Sequence, residues 1–404
     1  MEGFDAIIGN PPYSYMIDEA SQKYFDRNYH HQDYQRDLYL LFIERYPYVL
    51  KDKGKLGIIV SNTWLQSITL RKIRSYIANT YEWRRLLYLP TRVFNAIVDT
   101  HVLIFRVRKS DYEPNETFDV DVRRSDRIQL LHSLPKAKIP RDGSPINIVD
   151  SLERQELFRR LRDSNSTLSK VAEIYNGVKP FEKGKGTPPQ TAEILKSKPF
   201  VAEGDRPGRE WSPLLRGALI QRYCNLWNRD YWILYGPWLA AQRDPAIFAA
   251  PEKIMVRQTG DSIIATIVGS GYVARNNLHI VLPKENGLKL TFLLGVLNSK
   301  LTDFYYSILN PEKGEALAEV KKEHISQLPI SEISENNADQ NAMHDLIVRS
   351  VEHIMEAKQK LAAAASERDR DFWQNKCDVL EKTIDDAVYK LYGLTDSEIR
   401  LVER

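Results

Sequence analysis

Apolar and polar residues fall along this chain in blocks whose period changes from one block to the next. An uninterrupted apolar stretch, Ala6-Ile7-Ile8, sits inside "FDAIIGNPPY" (residues 4–13) and has the character of a short strand. From Asp37 to Leu50 the apolar positions Leu38, Leu41, Phe42, Tyr46 and Val49 have the spacing of one helix face. "KDKGKLGIIVSNTWL" then supplies a turn at Gly54 and a fully apolar strand, Leu56 to Val60. A second helical stretch, "LRKIRSYIANT", leads into the strands "RRLLYLP" and "THVLIFRVR". This order predicts half of a doubly wound α/β sheet over residues 1–110. Ligands of such sheets bind beyond the carboxyl ends of the strands, and Asn10-Pro11-Pro12-Tyr13 occupies one of those ends.

Residues 111–164 mix Asp, Pro, Ser and Arg and suggest a linker region, in which only "FDVDVRR" alternates like an edge strand. Residues 165–332 are β-rich, with "KIMVRQTG" and "SIIATIVGSGYVARNNLHIVLP" punctuated by Gly, Pro and Asn, and predict a second, α+β domain. Trp211, Trp227, Trp232 and Trp238 cluster there, and "LTFLLGVLNSKLTDFYYSIL" predicts one internal helix. Residues 333–404 predict a C-terminal helical hairpin packed on that domain. Met343, Ile347, Val351, Ile354 and Leu361 share one face of its first helix; Trp373, Cys377, Leu380, Ile384, Val388 and Leu391 share one face of its second. Gly393 is a suitable C-cap, and Thr395 with Glu398 makes a capping box.

Composition narrows the class. With 43% hydrophobic and 27% charged residues among 404, the chain is an ordinary globular one. No stretch approaches the ~20 apolar residues of a membrane span, so a cytoplasmic address without a membrane partner is expected. Cys224 and Cys377 lie far apart without metal spacing, and His30-His31 lacks ligand partners, so no metal site is expected. Basic residues outnumber acidic ones 14 to 9 over residues 177–275, with Trp and Tyr interleaved, which suits contact with nucleic acid. Lys179, Lys183 and Lys185, around the glycines of "GVKPFEKGKG", and Arg257 are the candidate DNA-binding residues; a solvated loop is the competing reading of the lysines.

The opening motif carries the chemistry. Two consecutive prolines remove two backbone donors and forbid helix, so the strand must end in a stiff, extended turn. The Asn10 carboxamide oxygen and a proline carbonyl offer two acceptors for the two N–H bonds of an exocyclic amine. Tyr13 offers an aromatic face to a base, worth ~1–3 kcal/mol. Accepting both protons concentrates the amine lone pair for attack on an electrophilic methyl group, a task that needs orientation more than a strong base. A base handled in this way has to leave the helix first.

Asn-Pro-Pro-Tyr after an apolar strand resembles the fourth motif of amino-group DNA methyltransferases. "DLYLLFIERYPYVLKDKGKLGIIVSNTWLQS" is similar to the fifth and sixth motifs of the gamma-type adenine-N6 enzymes, and "RVFNAIVDTHVLIFRVRKS" to the eighth. These enzymes include TaqI-like methylases and fused type IIG restriction-modification proteins. "VAEIYNGVKP", "EKIMVRQTGD", "LLGVLNSKLTDFYY", "VKKEHISQLPI" and "IDDAVYKLYGLT" are similar to their target-recognition domain, so nearly the whole chain is covered. The resemblance implies a partial Rossmann-like methyltransferase sheet, S-adenosylmethionine as cofactor and double-stranded DNA as partner. It assigns catalysis to Asn10, Pro11, Pro12 and Tyr13, with Phe94 as a second aromatic wall opposite Tyr13. "DLY", Asp37 to Tyr39, either shapes this pocket or starts a helix, and helix start is the safer reading.

One departure changes the expectation. The family holds its cofactor in a glycine-rich turn upstream of Asn-Pro-Pro-Tyr, whereas three residues precede "FDAIIG" here, and "GSGYVA" lies in the β-rich domain. The chain is therefore expected to work with a missing N-terminal methyltransferase half or a complementing subunit, and not to methylate DNA alone. The competing expectation is a non-catalytic DNA-recognition subunit docked on a methyltransferase or nuclease. Glu312 and Glu319-Val320-Lys321 superficially offer a nuclease centre, but their spacing reads as helix or loop.

Overall fold

The opening apolar run forms strand β1 (Phe4–Gly9) in this computed structural model, which describes residues 3–13, 18–32, 37–89, 100–107, 116–124, 127–148, 150–284, 289–310, 319–334 and 336–403. Helices α1 (Glu19–Asn28) and α2 (Leu38–Arg45) follow. Helix α2 is shorter than its apolar spacing predicts. Pro47 has no amide hydrogen to continue the ladder, and the chain tightens into a 3-10 turn at Tyr46–Tyr48. Then come β2 (Leu50–Ser61), α3 (Arg71–Thr80), β3 (Tyr81–Leu89) and β4 (Thr100–Val107). The turn expected at Gly54 is absorbed into β2 as an irregularity: Phe4 pairs with Leu50 but Ala6 with Lys55, and Lys53 adopts φ 58°.

The stretch with a linker's composition is regular structure. Strands β5 (Thr117–Arg124) and β6 (Arg127–Pro135) extend the first sheet, whose order is β1-β2-β4-β3-β5-β6. "FDVDVRR" is β5, one place in from the edge. The pairs β1–β2 and β3–β5 are parallel and the others antiparallel, so this is a mixed α/β sheet. Leu40 and Ile43 of α2 and Ile73 and Ile77 of α3 share one core with Leu56, Ile58, Val60, Leu103 and Phe105. At the β3–β4 pair, buried Glu82 accepts from Lys136 Nζ at 2.7 Å and from Arg106 Nε at 2.6 Å. Burial pushes the Glu82 carboxyl up, but hydrogen bonds from Lys136, Arg106 and Arg84 outweigh it and hold it down at about 2.

Contacts divide the chain into two units, residues 1–155 and 156–404. After α4 (Leu152–Ser164), which crosses that boundary, the strands are β7 (Ala172–Asn176), β8 (Val201–Glu203), β9 (Trp211–Leu215), β10 (Tyr231–Leu234), β11 (Glu252–Arg257), β12 (Ala265–Gly269), β13 (Val273–Ala274) and β14 (Leu278–Pro283). They make two four-stranded sheets, β13-β9-β10-β8 and β12-β11-β14-β7. Strand β11 serves two cores through its alternation: Ile254 and Val256 join the helical core, while Met255 joins the one under the other sheet.

The single helix expected over 290–309 is two, α5 (Leu290–Leu297) and α6 (Lys300–Leu309). The Asn298 carboxamide exchanges two 3.0 Å hydrogen bonds with the Ala265 backbone, and Ser299 Oγ caps the Thr302 amide, so the chain turns between them. Helices α7 (Ala338–Ala363), α8 (Glu367–Leu391) and α9 (Asp396–Val402) close the unit. Ile347, Val351 and Ile354 of α7 share a core with Cys377, Ile384 and Val388 of α8. A Cβ on Gly295 would stand 2.5 Å from Ile347 Cγ2, so glycine is what lets α5 approach α7. Gly393 takes φ 60°, and both bonds of the Thr395–Glu398 capping box form. Among the described residues no helix is long and apolar enough to cross a membrane.

Candidate active site

Strand β1 is an outer strand of its sheet and runs parallel to β2, so Asn10-Pro11-Pro12-Tyr13 leaves it at a carboxyl end. Pro11 is buried, whereas Asn10 and Pro12 are exposed. Among the described residues Asn10 has no side-chain hydrogen-bond partner. Tyr13 is half-buried and fixed at two points. Its hydroxyl donates to the Ile59 carbonyl of β2 at 3.0 Å, and its ring meets Tyr39 edge to face, 6.0 Å between centroids at 84°. Burial pushes the Tyr13 hydroxyl above its ordinary value, so it stays protonated and able to donate.

Tyr39 in turn is buried and shares a 3.3 Å hydrogen bond with Thr63 Oγ1, which shares a 3.0 Å one with Ser61 Oγ. Asp37 stands at the start of α2, as a helix-start reading has it, but its carboxylate makes no capping bond; burial pushes its carboxyl up. Close by in the sheet, Ser61 pairs with Thr100 and Val60 with His101. His101 is fully buried, accepts from Trp64 Nε1 at 3.0 Å and is pushed down to about 3 by burial, so it is neutral. Sequence reasoning reached Tyr39 as part of "DLY" but missed Ser61 and Thr63 behind it; the signal was the polar triplet Ser61-Asn62-Thr63 at the end of an apolar strand.

The other predicted residues are distributed unevenly. Phe94, the expected second wall, and Glu312 lie outside the described residues. His31 serves the fold: its Nδ1 lies 2.8 Å from Glu44 Oε1 and its ring rests on Tyr76 at 4.1 Å. Among the described residues no group of three or more His, Cys, Asp or Glu is arranged to hold a metal.

Lys179, Lys183 and Lys185 lie on a pinned loop. The buried Gln190 donates to the Pro180 and Trp238 carbonyls, both at 2.8 Å, and accepts from the Glu182 amide at 2.9 Å. Phe181 stacks on Phe200, 5.6 Å away. Gly186, at φ 88°, passes so close to Trp238 that a Cβ would stand 2.4 Å from its carbonyl oxygen. Lys179 pairs with Glu182 at 2.8 Å, while Lys183 and Lys185 are exposed and form no ion pair with a described residue. Arg257 lies elsewhere, at the end of β11.

Comparison with known proteins matches both units. The model of the Eco57I restriction-modification methylases matches residues 1–94, and that of the TaqI-like C-terminal specificity domain matches residues 212–330. A Methanocaldococcus jannaschii protein named as a type II restriction enzyme and methyltransferase is 23% identical over 97% of this chain, which spans 31% of that protein. The type II methyltransferase M.TthHB8I of Thermus thermophilus is 26% identical over 76% of this chain and 68% of its own length. The fold is shared with the type IIL restriction-modification enzyme MmeI, solved in complex with DNA: TM-score 0.58 at 12% identity, over 98% of this chain and 55% of that one. The chain is therefore similar to restriction-modification methylases in both parts, to the Eco57I-type methylases over residues 1–94 and to the TaqI-like specificity domain over residues 212–330.

Proposed function

We propose that this chain holds a flipped adenine by its exocyclic amine for N6 methylation and selects its DNA through the second unit. It would do so in the cytoplasm, as part of a restriction-modification or phage-defence enzyme. The observation that carries this reading is Asn10 itself: an exposed carboxamide with no described partner, at the carboxyl end of β1, beside an aromatic ring fixed at two points. A side chain that the fold leaves unpaired is available to accept one amine proton, and the stiff proline backbone offers the second acceptor. Tyr13 receives the face of the base. Two oriented acceptors concentrate the amine lone pair on nitrogen, with no general base in the arrangement.

S-adenosylmethionine is the methyl donor that this family supports. The described residues do not by themselves fit an enclosed site for it, because the β1 flank of the motif is open: Phe4 is 64% and Ile8 90% exposed. That apolar edge supports a partner, the cofactor-holding methylase portion, carried on the same polypeptide or a complementing one. The chain alone is then expected to transfer no methyl group.

The test is Asn10→Ala in the completed enzyme, followed by labelled methyl transfer and DNA binding. Loss of transfer with binding kept supports the assignment. Unchanged transfer sinks it, and unchanged restriction without any methylation in the parent would favour a DNA-recognition subunit.

A further inference from the structure

In the second unit, three arginines and an asparagine gather around Gly217. A Cβ on that glycine would lie 3.5 Å from Arg257 Cγ and 3.5 Å from Asn277 Nδ2. The preceding residue, Arg216, holds its guanidinium 4.5 Å above the ring of Tyr231, and Arg275 Nη1 donates to the hydroxyl of the same tyrosine at 3.3 Å. The Arg275 amide bonds the Leu215 carbonyl at 2.9 Å, and the Gln258 amide bonds the Asn277 carbonyl at 3.0 Å, so backbone contacts set the spacing of the group. Among the described residues, the ion pair this group makes is a weak one, Arg216 to the exposed Glu203 at 4.0 Å.

Two atoms here have no structural use. Arg257 Nε and Asn277 Oδ1 are enclosed and unpartnered, although both residues are partly exposed. Enclosed polar atoms without a partner also occur elsewhere in this unit, at Asp230, Thr266 and Tyr389, so what singles out Arg257 and Asn277 is that they stand together at Gly217, both partly exposed, beside two further arginines. Unsatisfied side chains gathered in one partly exposed, basic cluster point to a ligand. The chemistry of the pair is specific. A guanidinium fits the O6 and N7 acceptors of guanine, and a carboxamide fits the N6 donor and N7 acceptor of adenine, both on purine edges in the major groove.

We propose that Arg257 and Asn277 are specificity-determining residues that read purine edges in the major groove, with Arg216 and Arg275, held on Tyr231, contacting the flanking phosphates. This rests on the DNA-recognition reading above.

The test equilibrates the full chain with duplexes carrying a randomised region and sequences what it retains. Arg257→Ala and Asn277→Ala are each expected to relax preference at one or two positions, by about ten- to a hundred-fold, leaving other positions intact. Arg216→Ala and Arg275→Ala are expected to weaken all sequences alike and to reduce the salt slope by about 0.9. Arg257→Lys and Asn277→Asp, which keep size, guard against misfolding and are expected to relax the same positions. An unchanged motif in the Arg257 and Asn277 variants overturns the proposal, as does uniform weakening with a reduced salt slope, which marks phosphate contacts. If the parent chain retains no DNA at all, the recognition reading falls first and this inference with it.

Discussion

The two units treat their surfaces differently. The first exposes its outer strand, with Ile8 at 90%, and holds its candidate site residue, Asn10, in the open. The second gives key buried polar groups partners: Asn298 replaces the helix it interrupts with two backbone bonds, and Gln190 ties down the loop that carries the lysines. A unit built to be completed by something else keeps apolar surface and functional groups accessible. A unit built to present a fixed shape closes its interior and leaves only a few polar atoms unmatched. On the readings proposed above, function lies with an exposed side chain without a described partner in the first unit, and with a partly exposed cluster holding unmatched atoms in the second.

This contrast can be broken by substitution. The largest effect belongs to Asn10→Ala, which is expected to lower methyl transfer by the completed enzyme about 10²–10³-fold, the scale of removing one oriented transition-state partner. Its thermal unfolding should stay within ~0.5 kcal/mol of the parent, since the fold does not use that side chain. Ile354→Ala tests the opposite case. It empties a fully buried position shared by α7 and the helical core and is expected to cost roughly 2–5 kcal/mol by denaturant melts.

Asp385 gives the next effect, through pH. It is buried, accepts the Lys300 amide at 2.9 Å, and burial pushes its carboxyl up from 3.8 to about 6. A carboxyl raised on folding favours the fold while protonated: its contribution is fully present below pH ~3.8 and is lost as pH rises through about 6. Stability is therefore expected to fall by on the order of 2–3 kcal/mol between pH 4 and pH 7 from this group. Asp385→Asn, which keeps an acceptor for the Lys300 amide, should flatten that slope in melts across the range. The smallest effect is Ile8→Ser, expected to shift unfolding by under ~0.5 kcal/mol while lowering the binding of a hydrophobic dye. A large destabilisation there would mean that the open edge is part of the first core after all.

The sequence shows the parts of this molecule that local physics decides. An apolar triplet before two prolines is a strand that must stop, and Thr395 three residues before Glu398 is a helix start. What stayed hidden depends on contacts distant in sequence. Strand β5 looked like an edge strand because it carries Asp119 and Asp121, yet it lies between β3 and β6. Asp121 is buried against Arg85 of β3, with Arg85 Nη2 3.0 Å from its Oδ1, while Phe118, Val120 and Val122 supply the buried face. The break between α5 and α6 is set by Asn298 reaching Ala265, 33 residues earlier. At the candidate site Asn10 and Tyr13 were legible because they are contiguous, whereas Tyr39, Ser61 and Thr63 join them only through the fold. The lysines were found by charge, but their rigidity comes from Gln190, which no charge count reveals.

Because the Tyr13 hydroxyl donates to a β2 carbonyl, the ring that would receive a base belongs, in effect, to the hydrogen-bonded ladder of the sheet. The ring is thereby tied to β2 as well as to its own turn, so the angle at which a base would be taken in depends on the sheet. Phenylalanine at that position would keep the aromatic surface and lose that tie.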